Sequence, residues 1–306
     1  LPSKKWNKEY IFARNQGTGY SDNIHQEKCM AANGMGGWSG LCPTQELVDA
    51  YEMANGSTPI IGYNADGTPI INGASGYSET GFAATAGKHY PAGVYNMYVG
   101  REPRFYASIN FNGQQWRGRQ LEFWQGGKDG INVSKVDYCC TGYLLRKTAD
   151  EGVDVINGKG GMKEASILFR VGSLYLDYAE ALNEAEGPVD DVYKYVDAIR
   201  KRAGLPGLAK GLDKDKMRER IQHERQIELA FEAGHRYFDC HRWKIAEKTD
   251  NGYMHGMNIT ATNKVDYSKR STVGDSRVFE KKHYLFPIPQ SEMDKRIGLV
   301  QSPYWE

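Results

Sequence analysis

The sequence of 306 residues lacks several features that would place it in a major class of protein. No window approaches the roughly eighteen consecutive apolar residues of a membrane-spanning helix. No long basic run occurs and the formal net charge is only +1, so nucleic acid is not expected as a partner, because phosphate binding needs clustered Lys and Arg. The sequence begins at Leu1 without an initiator methionine or a signal peptide, which indicates a processed chain or a fragment.

Cysteine is also scarce. The five cysteines are Cys29, Cys42, Cys139, Cys140 and Cys240. None belongs to a C-x-x-C pair, so a zinc site is not expected. The odd number leaves at least one thiol without an intrachain partner, and a disulfide between Cys29 and Cys42 is one possibility. The stretch Asn64-Ala-Asp66-Gly67 is too short for a calcium loop, and we expect neither a metal nor a cofactor.

Glycine is unevenly distributed along the chain. Of the 35 glycines, 25 lie in residues 1–161 and 10 in residues 162–306. The first half is therefore expected to form loops and short strands, and the second half helices. This divides the chain into a loop-rich region at 1–162, expected to face a ligand, and a helical region at 163–306. The predicted fold is mainly α-helical, with an irregular portion that contains short β-hairpins.

Two strands are predicted in the loop-rich region. Residues 105–111 alternate apolar and polar side chains, which is typical of a half-buried strand, and Asn112-Gly113 signals a hairpin turn before 114–119. A second strand is expected at about 142–147.

Helical spacing begins at residue 163. Apolar residues recur with a helical period at 167–185 and at 192–203, and together they predict a helical hairpin of tetratricopeptide size at 163–204. Such a hairpin cannot bury its own apolar face and needs neighbours.

The end of the chain has a less regular pattern. Two further helices are predicted within 213–248, separated at Gly234. The second of them is expected to turn four side chains inward, namely Tyr237, Phe238, His241 and Ile245. Residues 249–282 are polar and predict loop, and Ser291 is the expected N-cap of a last short helix.

Two carboxylates interrupt the apolar stripe of the helix that begins near Asp213. Glu224 and Glu228 share this stripe with Met217 and Ile221. Their spacing places the Cβ atoms roughly 5–6 Å apart, which overlaps the carboxyl separation of a glycoside hydrolase. However, buried carboxylates are costly unless they are paired. We therefore favour a structural ionic network over catalysis. The residues of this network are Glu224, Arg225, Glu228, Arg236 and Arg242, with Arg236 and Arg242 as the expected partners of the two carboxylates.

Aromatic side chains in the loop-rich region suggest a ligand site. These rings lie among Gly, Ser, Asn and Thr rather than in apolar periodic runs, and exposed rings stack on the flat apolar faces of sugars, while Asn and Asp bind hydroxyl groups. The alternative is that each ring only anchors a long loop. The candidate ligand-binding residues are Trp38, Tyr63, Asn64, Asp66, Tyr77 and Tyr90.

Several segments, in the same order along the chain, resemble one family. Residues 174–184 and 199–206 resemble the helix pair of SusD/RagB-family proteins, residues 223–242 resemble its most recognisable segment, and residues 285–292 resemble its closing motif. The segment Glu102-Pro-Arg-Phe-Tyr106 and residues 141–147 also match. The match runs from about residue 95 to Trp305.

The resemblance implies a surface lipoprotein of the outer membrane in Bacteroidetes-type bacteria. Such proteins capture glycans and pass them to a TonB-dependent, SusC-like transporter, and they are not enzymes. The family also implies a tetratricopeptide scaffold, most of whose repeats would precede Leu1, and a lipid anchor that would precede Leu1 as well. It has no universal ligand motif, so no site residue is carried over. A glycoside hydrolase and a tetratricopeptide-type protein-interaction module remain the alternative functions.

Overall fold

The computed structural model describes residues 7–15, 20–159, 165–232, 234–295 and 297–305. Its strands are β1 (Tyr10–Asn15), β2 (Ile60–Tyr63), β3 (Pro69–Ile71), β4 (Ile109–Phe111), β5 (Gln115–Trp116), β6 (Arg119–Gln120), β7 (Tyr143–Leu145), β8 (Ala165–Arg170), β9 (Gly252–Met257) and β10 (Arg270–Arg277). Its α-helices are α1 (Tyr20–Met30), α2 (Gln45–Ala50), α3 (Pro103–Ser108), α4 (Val171–Glu186), α5 (Asp190–Arg202), α6 (Lys214–Glu228), α7 (His235–Arg242), α8 (Ala246–Thr249), α9 (Lys264–Tyr267) and α10 (Gln290–Met293). The fold class predicted from the sequence is confirmed, because the long helices follow residue 170 and the strands are short.

The strands form isolated antiparallel pairs. The pairs are β1 with β8, β2 with β3, β4 with β7, β5 with β6, and β9 with β10. No sheet of more than two strands is found over the described ranges. A two-stranded pair is marginally stable alone, so each pair depends on the body it packs against. In the same ranges, no helix is long and apolar enough to cross a lipid bilayer.

The loop-rich region has an aromatic core around α3 and β4. The ring of Tyr98 packs at 4.4 Å from that of Phe111 between centroids, and both side chains are fully buried. Arg101 is buried in the same core, where its guanidinium donates hydrogen bonds to the carbonyl oxygens of Tyr51 at 2.7 Å and Met97 at 3.2 Å. Buried carbonyl groups need partners, and Arg101 supplies them where the loops have no regular pairing.

The helical region has its own core between α4, α5 and α6. Leu176, Val196 and Ile221 from these three helices are completely buried in one cluster, and each such side chain contributes about 1.5–3 kcal/mol on burial. The Asp213 carboxylate accepts the backbone N–H of Lys216 at 2.8 Å and so caps the N-terminus of α6. The start predicted for this helix is confirmed.

The strand predicted at 105–111 is only partly correct. Residues up to Ser108 form α3, which has Pro103 in its first turn, a position where the missing N–H of proline has no cost. Strand β4 pairs with β7 and not with the residues after the turn. The turn at Asn112-Gly113 is present, because Gln114 N–H donates to the Phe111 carbonyl at 3.1 Å. The strand predicted near 142–147 is confirmed as β7.

Four other predictions need correction. Residue 167 lies in β8 rather than in a helix, and α4 begins only at Val171. Residues 249–282 contain β9, α9 and β10 instead of a continuous loop, because hairpin pairing organises polar sequence that has no clear period. Tyr237 and Phe238 on α7 are exposed rather than inward. The last helix α10 has Pro289 as its N-cap, not Ser291. The predicted boundary at 162/163 lies outside the described residues.

Candidate functional site

The two carboxylates on α6 are buried and fully paired. Glu224 is 1% exposed and Glu228 is 4% exposed. Glu224 accepts hydrogen bonds from Arg104 at 2.6 Å and from Arg200 at 3.1 Å. Arg104 also donates to Glu102 at 2.7 Å. Since Arg104 belongs to α3 and Arg200 to α5, these ion pairs join the loop-rich region to the helical region.

Glu228 accepts hydrogen bonds from three arginines. The distances are 2.5 Å to Arg202, 2.9 Å to Arg170 and 3.1 Å to Arg104. Burial alone raises the pKa of Glu228, but the surrounding cations, led by Arg202 and Arg170, lower this pKa to about 2. The carboxylate is therefore ionised in the folded protein at any physiological pH.

The partners of these carboxylates differ from those expected. Arg242 donates to Asp239 at 2.9 Å and to Glu180 at 2.7 Å, and Arg225 donates to Asp239 at 2.9 Å. In the described part of the chain, Arg236 makes no ion pair with either carboxylate. Adjacent positions on a helix point about 100° apart. Arg225 therefore faces α7 while the two carboxylates face α3 and α5.

This arrangement does not suit a glycoside hydrolase. In such an enzyme the two carboxyl groups flank the scissile bond of a bound sugar. The carboxylate oxygens of Glu224 and Glu228 are instead occupied by arginines and enclosed by protein. A substrate could reach them only after the ion pairs were broken. The hydrolase alternative through these two residues is therefore not supported.

A second cluster lies on the surface of the loop-rich region. Tyr63 at the end of β2 is 48% exposed, and its hydroxyl donates to Asp49 at 2.7 Å. Arg270 at the start of β10 donates twice to Asp49, at 2.7 and 2.9 Å, and twice to Glu79, with its Nε at 3.1 Å from one carboxylate oxygen and an Nη on the other. This bidentate geometry fixes the guanidinium on the same carboxylate that accepts the hydroxyl of Tyr63.

Two more rings extend this cluster. Phe82 is 36% exposed, and its ring centroid lies 5.7 Å from that of Tyr95. The hydroxyl of Tyr95 donates to the carbonyl oxygen of Glu79. We call these side chains the aromatic patch, which comprises Tyr63, Phe82, Tyr95, Asp49, Glu79 and Arg270.

The chemistry of the aromatic patch is that of a binding surface. Tyr63 and Phe82 present apolar ring faces, while the largely buried ion pairs of Arg270 with Asp49 and Glu79 hold the segments that carry the rings in place. Burial raises the pKa of Tyr63, and the neighbouring carboxylate of Asp49 raises it further, so the phenol stays neutral. Two carboxylates surround one arginine, and the patch therefore carries a net charge of about −1 at neutral pH.

The structure separates the other predicted aromatic residues. Tyr77 is only 6% exposed, and it supports the patch from below because its hydroxyl donates to Glu79 at 2.6 Å. Trp38 is exposed but stacks on His25, with ring centroids 5.5 Å apart. Tyr90 is half-buried against the ring of Tyr106, at 6.1 Å between centroids.

The predicted polar residues lie next to the aromatic patch. Asn64 and Asp66 form the exposed turn between β2 and β3, immediately after Tyr63. Their side chains bind Thr68, with the Asn64 amide at 2.8 Å from the threonine hydroxyl and Asp66 at 2.7 Å. These contacts shape the turn, and Asn64 and Asp66 remain candidates for ligand contacts. No cluster of three or more potential metal ligands is found in the ranges that the structure describes.

Sequence reasoning missed most of the aromatic patch. Arg270 is 221 positions from Asp49 and 191 from Glu79 along the chain, so no local spacing connects them. Phe82 follows Gly81 in a glycine-rich stretch, which is the same signal that singles out Tyr63 and Tyr77. The cost of leaving two buried acids unpaired predicts that the carboxylates have partners, but it does not identify them as Arg104 and Arg200, which lie on other elements.

Comparisons with known proteins agree on one family. The model described as the SusD family matches residues 6–305. The SusD-like protein P25 of Formosa agariphila is 42% identical over 82 residues, which cover 26% of this chain and 15% of that protein. A solved SusD-like protein from Bacteroides fragilis is 29% identical, with a TM-score of 0.73, over 98% of this chain and 55% of the other.

A further solved structure shares the fold. It is a SusD-like carbohydrate binding protein from Bacteroides fragilis, 23% identical, with a TM-score of 0.70, and the match covers 94% of this chain and 53% of that one. The present chain therefore spans about half the length of both solved structures.

Proposed function

This chain belongs to the SusD family, and from that premise we propose that it is part of a glycan-binding protein of the bacterial outer surface. The protein captures oligosaccharides or polysaccharides and hands them to a TonB-dependent, SusC-like transporter in the outer membrane. It acts by binding and not by catalysis. One of the solved proteins that share this fold is described as a carbohydrate binding protein, which supports the ligand class.

The observation that carries the proposal is the aromatic patch. Exposed rings at Tyr63 and Phe82 lie beside a fixed network of two carboxylates and a guanidinium, and exposed rings match the apolar faces of a sugar. Trp38, Asn64 and Asp66 are further exposed candidates. We assign Tyr77 a supporting role because it is buried beneath the patch.

Replacing Tyr63 with alanine is expected to weaken glycan binding about tenfold, equivalent to about 1.4 kcal/mol. The substitution removes the ring face and leaves Asp49 with Arg270 as its partner. Calorimetry or affinity electrophoresis with a panel of polysaccharides would measure the change. Tyr63→Phe keeps the ring and should retain most of the affinity.

The matched control is Tyr178→Ala on α4. Tyr178 is 44% exposed, which is close to the exposure of Tyr63, but it lies in the helical region. Its replacement should leave the affinity unchanged. Equal losses for both variants would show that the aromatic patch is not the site.

The charge of the aromatic patch predicts which glycans bind. A net charge of about −1 repels uronates and sulfated sugars, so neutral polysaccharides should bind more tightly than carboxylated ones of the same backbone. The comparison should be repeated at raised ionic strength, where the difference is expected to shrink by screening. Tighter binding of the carboxylated glycan would contradict the assignment of the aromatic patch as the binding site.

The transporter step needs a separate experiment. Pull-down from membranes with the full-length protein should recover a TonB-dependent transporter, and bound glycan should pass to it. Recovery of a membrane partner with no glycan bound under any condition would instead favour the protein-interaction module.

A further inference from the structure

Three of the five cysteines meet at one place beside the loop that bears Trp38. The Cys42 thiol donates to the sulfur of Cys139, with 3.9 Å between the two Sγ atoms. The thiol of the neighbouring Cys140 also interacts with that of Cys42. Cys139 is buried and Cys140 is exposed, so one side of the cluster is open to solvent.

The backbone holds these two segments together without any covalent link. The N–H of Leu145 on β7 donates to the carbonyl oxygen of Leu41 at 3.0 Å. The Cys42 thiol additionally contacts the carbonyl oxygen of Ser39 at 3.1 Å, and the Cys139 thiol contacts that of Tyr143 at 3.0 Å. Forming a disulfide would therefore need only a local movement of side chains, because the two backbone segments that carry the cysteines are already adjacent.

We propose that Cys42 is an oxidisable site that forms a disulfide with the Cys139–Cys140 pair. The cross-link joins positions that are 97 residues apart, and it would fasten the segment that bears Trp38 to β7. All five cysteines are free thiols in the structure, which corresponds to the reduced state. The alternative pairing of Cys29 with Cys42, left open by the sequence, competes with this one.

The reaction requires an external oxidant of the disulfide class, such as oxidised glutathione. The exposed Cys140 thiolate attacks a glutathione sulfur, so the glutathione disulfide breaks and one glutathione leaves as a thiol. The Cys42 thiolate then attacks the Cys140 sulfur and releases the second glutathione. Each chain loses two protons and two electrons, and the oxidant gains them. Exchange with Cys139 can move the bond to the buried sulfur.

The environment of the cluster predicts a slow reaction at neutral pH. The hydrogen bond with Cys139 raises the pKa of the Cys42 thiol, and burial adds to this effect. The pKa of Cys140 is likewise raised by its contact with Cys42. Only thiolates attack disulfides, so the rate should increase with pH.

The test uses the full chain with excess oxidised glutathione at mildly alkaline pH. A chymotryptic digest without reductant, which cuts after Trp38 and Tyr138, separates Cys29 from Cys42 and releases the Cys139–Cys140 segment. Mass spectrometry is expected to find Cys42 linked to that segment. The unfolding temperature should rise by roughly 5 °C and fall back on reduction.

The controls separate this pairing from its rivals. Cys29→Ser should keep the cross-link, whereas Cys42→Ser and the double variant Cys139→Ser/Cys140→Ser should each abolish it. Circular dichroism of the reduced variants confirms that they fold. A link from Cys42 to Cys29, or cross-links that form only between separate molecules, would overturn the proposal. So would free thiols in the folded protein under conditions that fully oxidise the urea-unfolded protein.

Discussion

Glu228→Gln is expected to lower the free energy of unfolding by about 3–5 kcal/mol. The amide is nearly the same size as the carboxylate, so packing is preserved. It leaves Arg170 and Arg104, which are 7% and 12% exposed, with one fewer negative charge in a largely buried site. Uncompensated buried charge is far more costly than the pair is stabilising. Urea unfolding monitored by circular dichroism would measure the change.

A surface ion pair supplies the control for this substitution. Glu184 on α4 binds Arg218 at 2.6 Å but is substantially exposed, and exposed pairs contribute only about 0–1 kcal/mol. Glu184→Gln should therefore change stability little. Similar losses for both variants would show that burial of Glu228 does not determine its contribution.

Acid should unfold the protein partly through the same carboxylate. The pKa of Glu228 is lowered from 4.5 to about 2 on folding, so the unfolded chain binds the proton more readily than the folded one. Its contribution is complete above the unfolded pKa and is lost as the pH falls from about 5 to about 2. This difference in pKa between the unfolded and folded states corresponds to about 3 kcal/mol of unfolding free energy. Unfolding curves recorded across this range should show the loss.

Comparing Glu228→Gln with the parent protein isolates the contribution of Glu228 to this pH dependence. Because Glu228→Gln cannot titrate, the stability difference between it and the parent should be largest near neutral pH and shrink towards about pH 2. Glu102 acts in the opposite direction, because burial raises its pKa. The unfolding free energy of the parent protein should therefore change less steeply with pH than the carboxylates with lowered pKa would predict by themselves. A difference that stays constant with pH would mean that folding does not shift the pKa of Glu228.

The sequence predicts the helical region better than the loop-rich region for a physical reason. Helices α5 and α6 each follow a local period of apolar residues. Helix α5 begins at Asp190 and α6 directly after its N-cap Asp213, so residues close in sequence determine both starts. The alternation at 105–111 resembles a strand, but Pro103 starts a helix and tertiary packing of Phe105 and Tyr106 sustains it. The pairing of β4 with β7 depends on residues that are distant in sequence.

The same distinction applies to the two clusters. The burial of Glu224 and Glu228 could be predicted from their place on an apolar stripe, but their partners come from α3, α5 and the end of β8. The choice of Tyr63 rested on local composition and identifies one ring of the aromatic patch. The pairing of Arg270 with Asp49 and Glu79 requires β10, which has no clear sequence signal, so the polar half of the patch could not be predicted.

The pairing of β1 with β8 has a consequence for the order in which the molecule assembles. Tyr10 lies opposite Arg170, so a chain emerging from the ribosome exposes β1 long before its partner strand has been synthesised. Closing a loop of this length costs conformational entropy that no local contact repays. Ile11 and Phe12 remain exposed even in the folded chain, and until β8 arrives they present an unpaired apolar edge to other nascent chains.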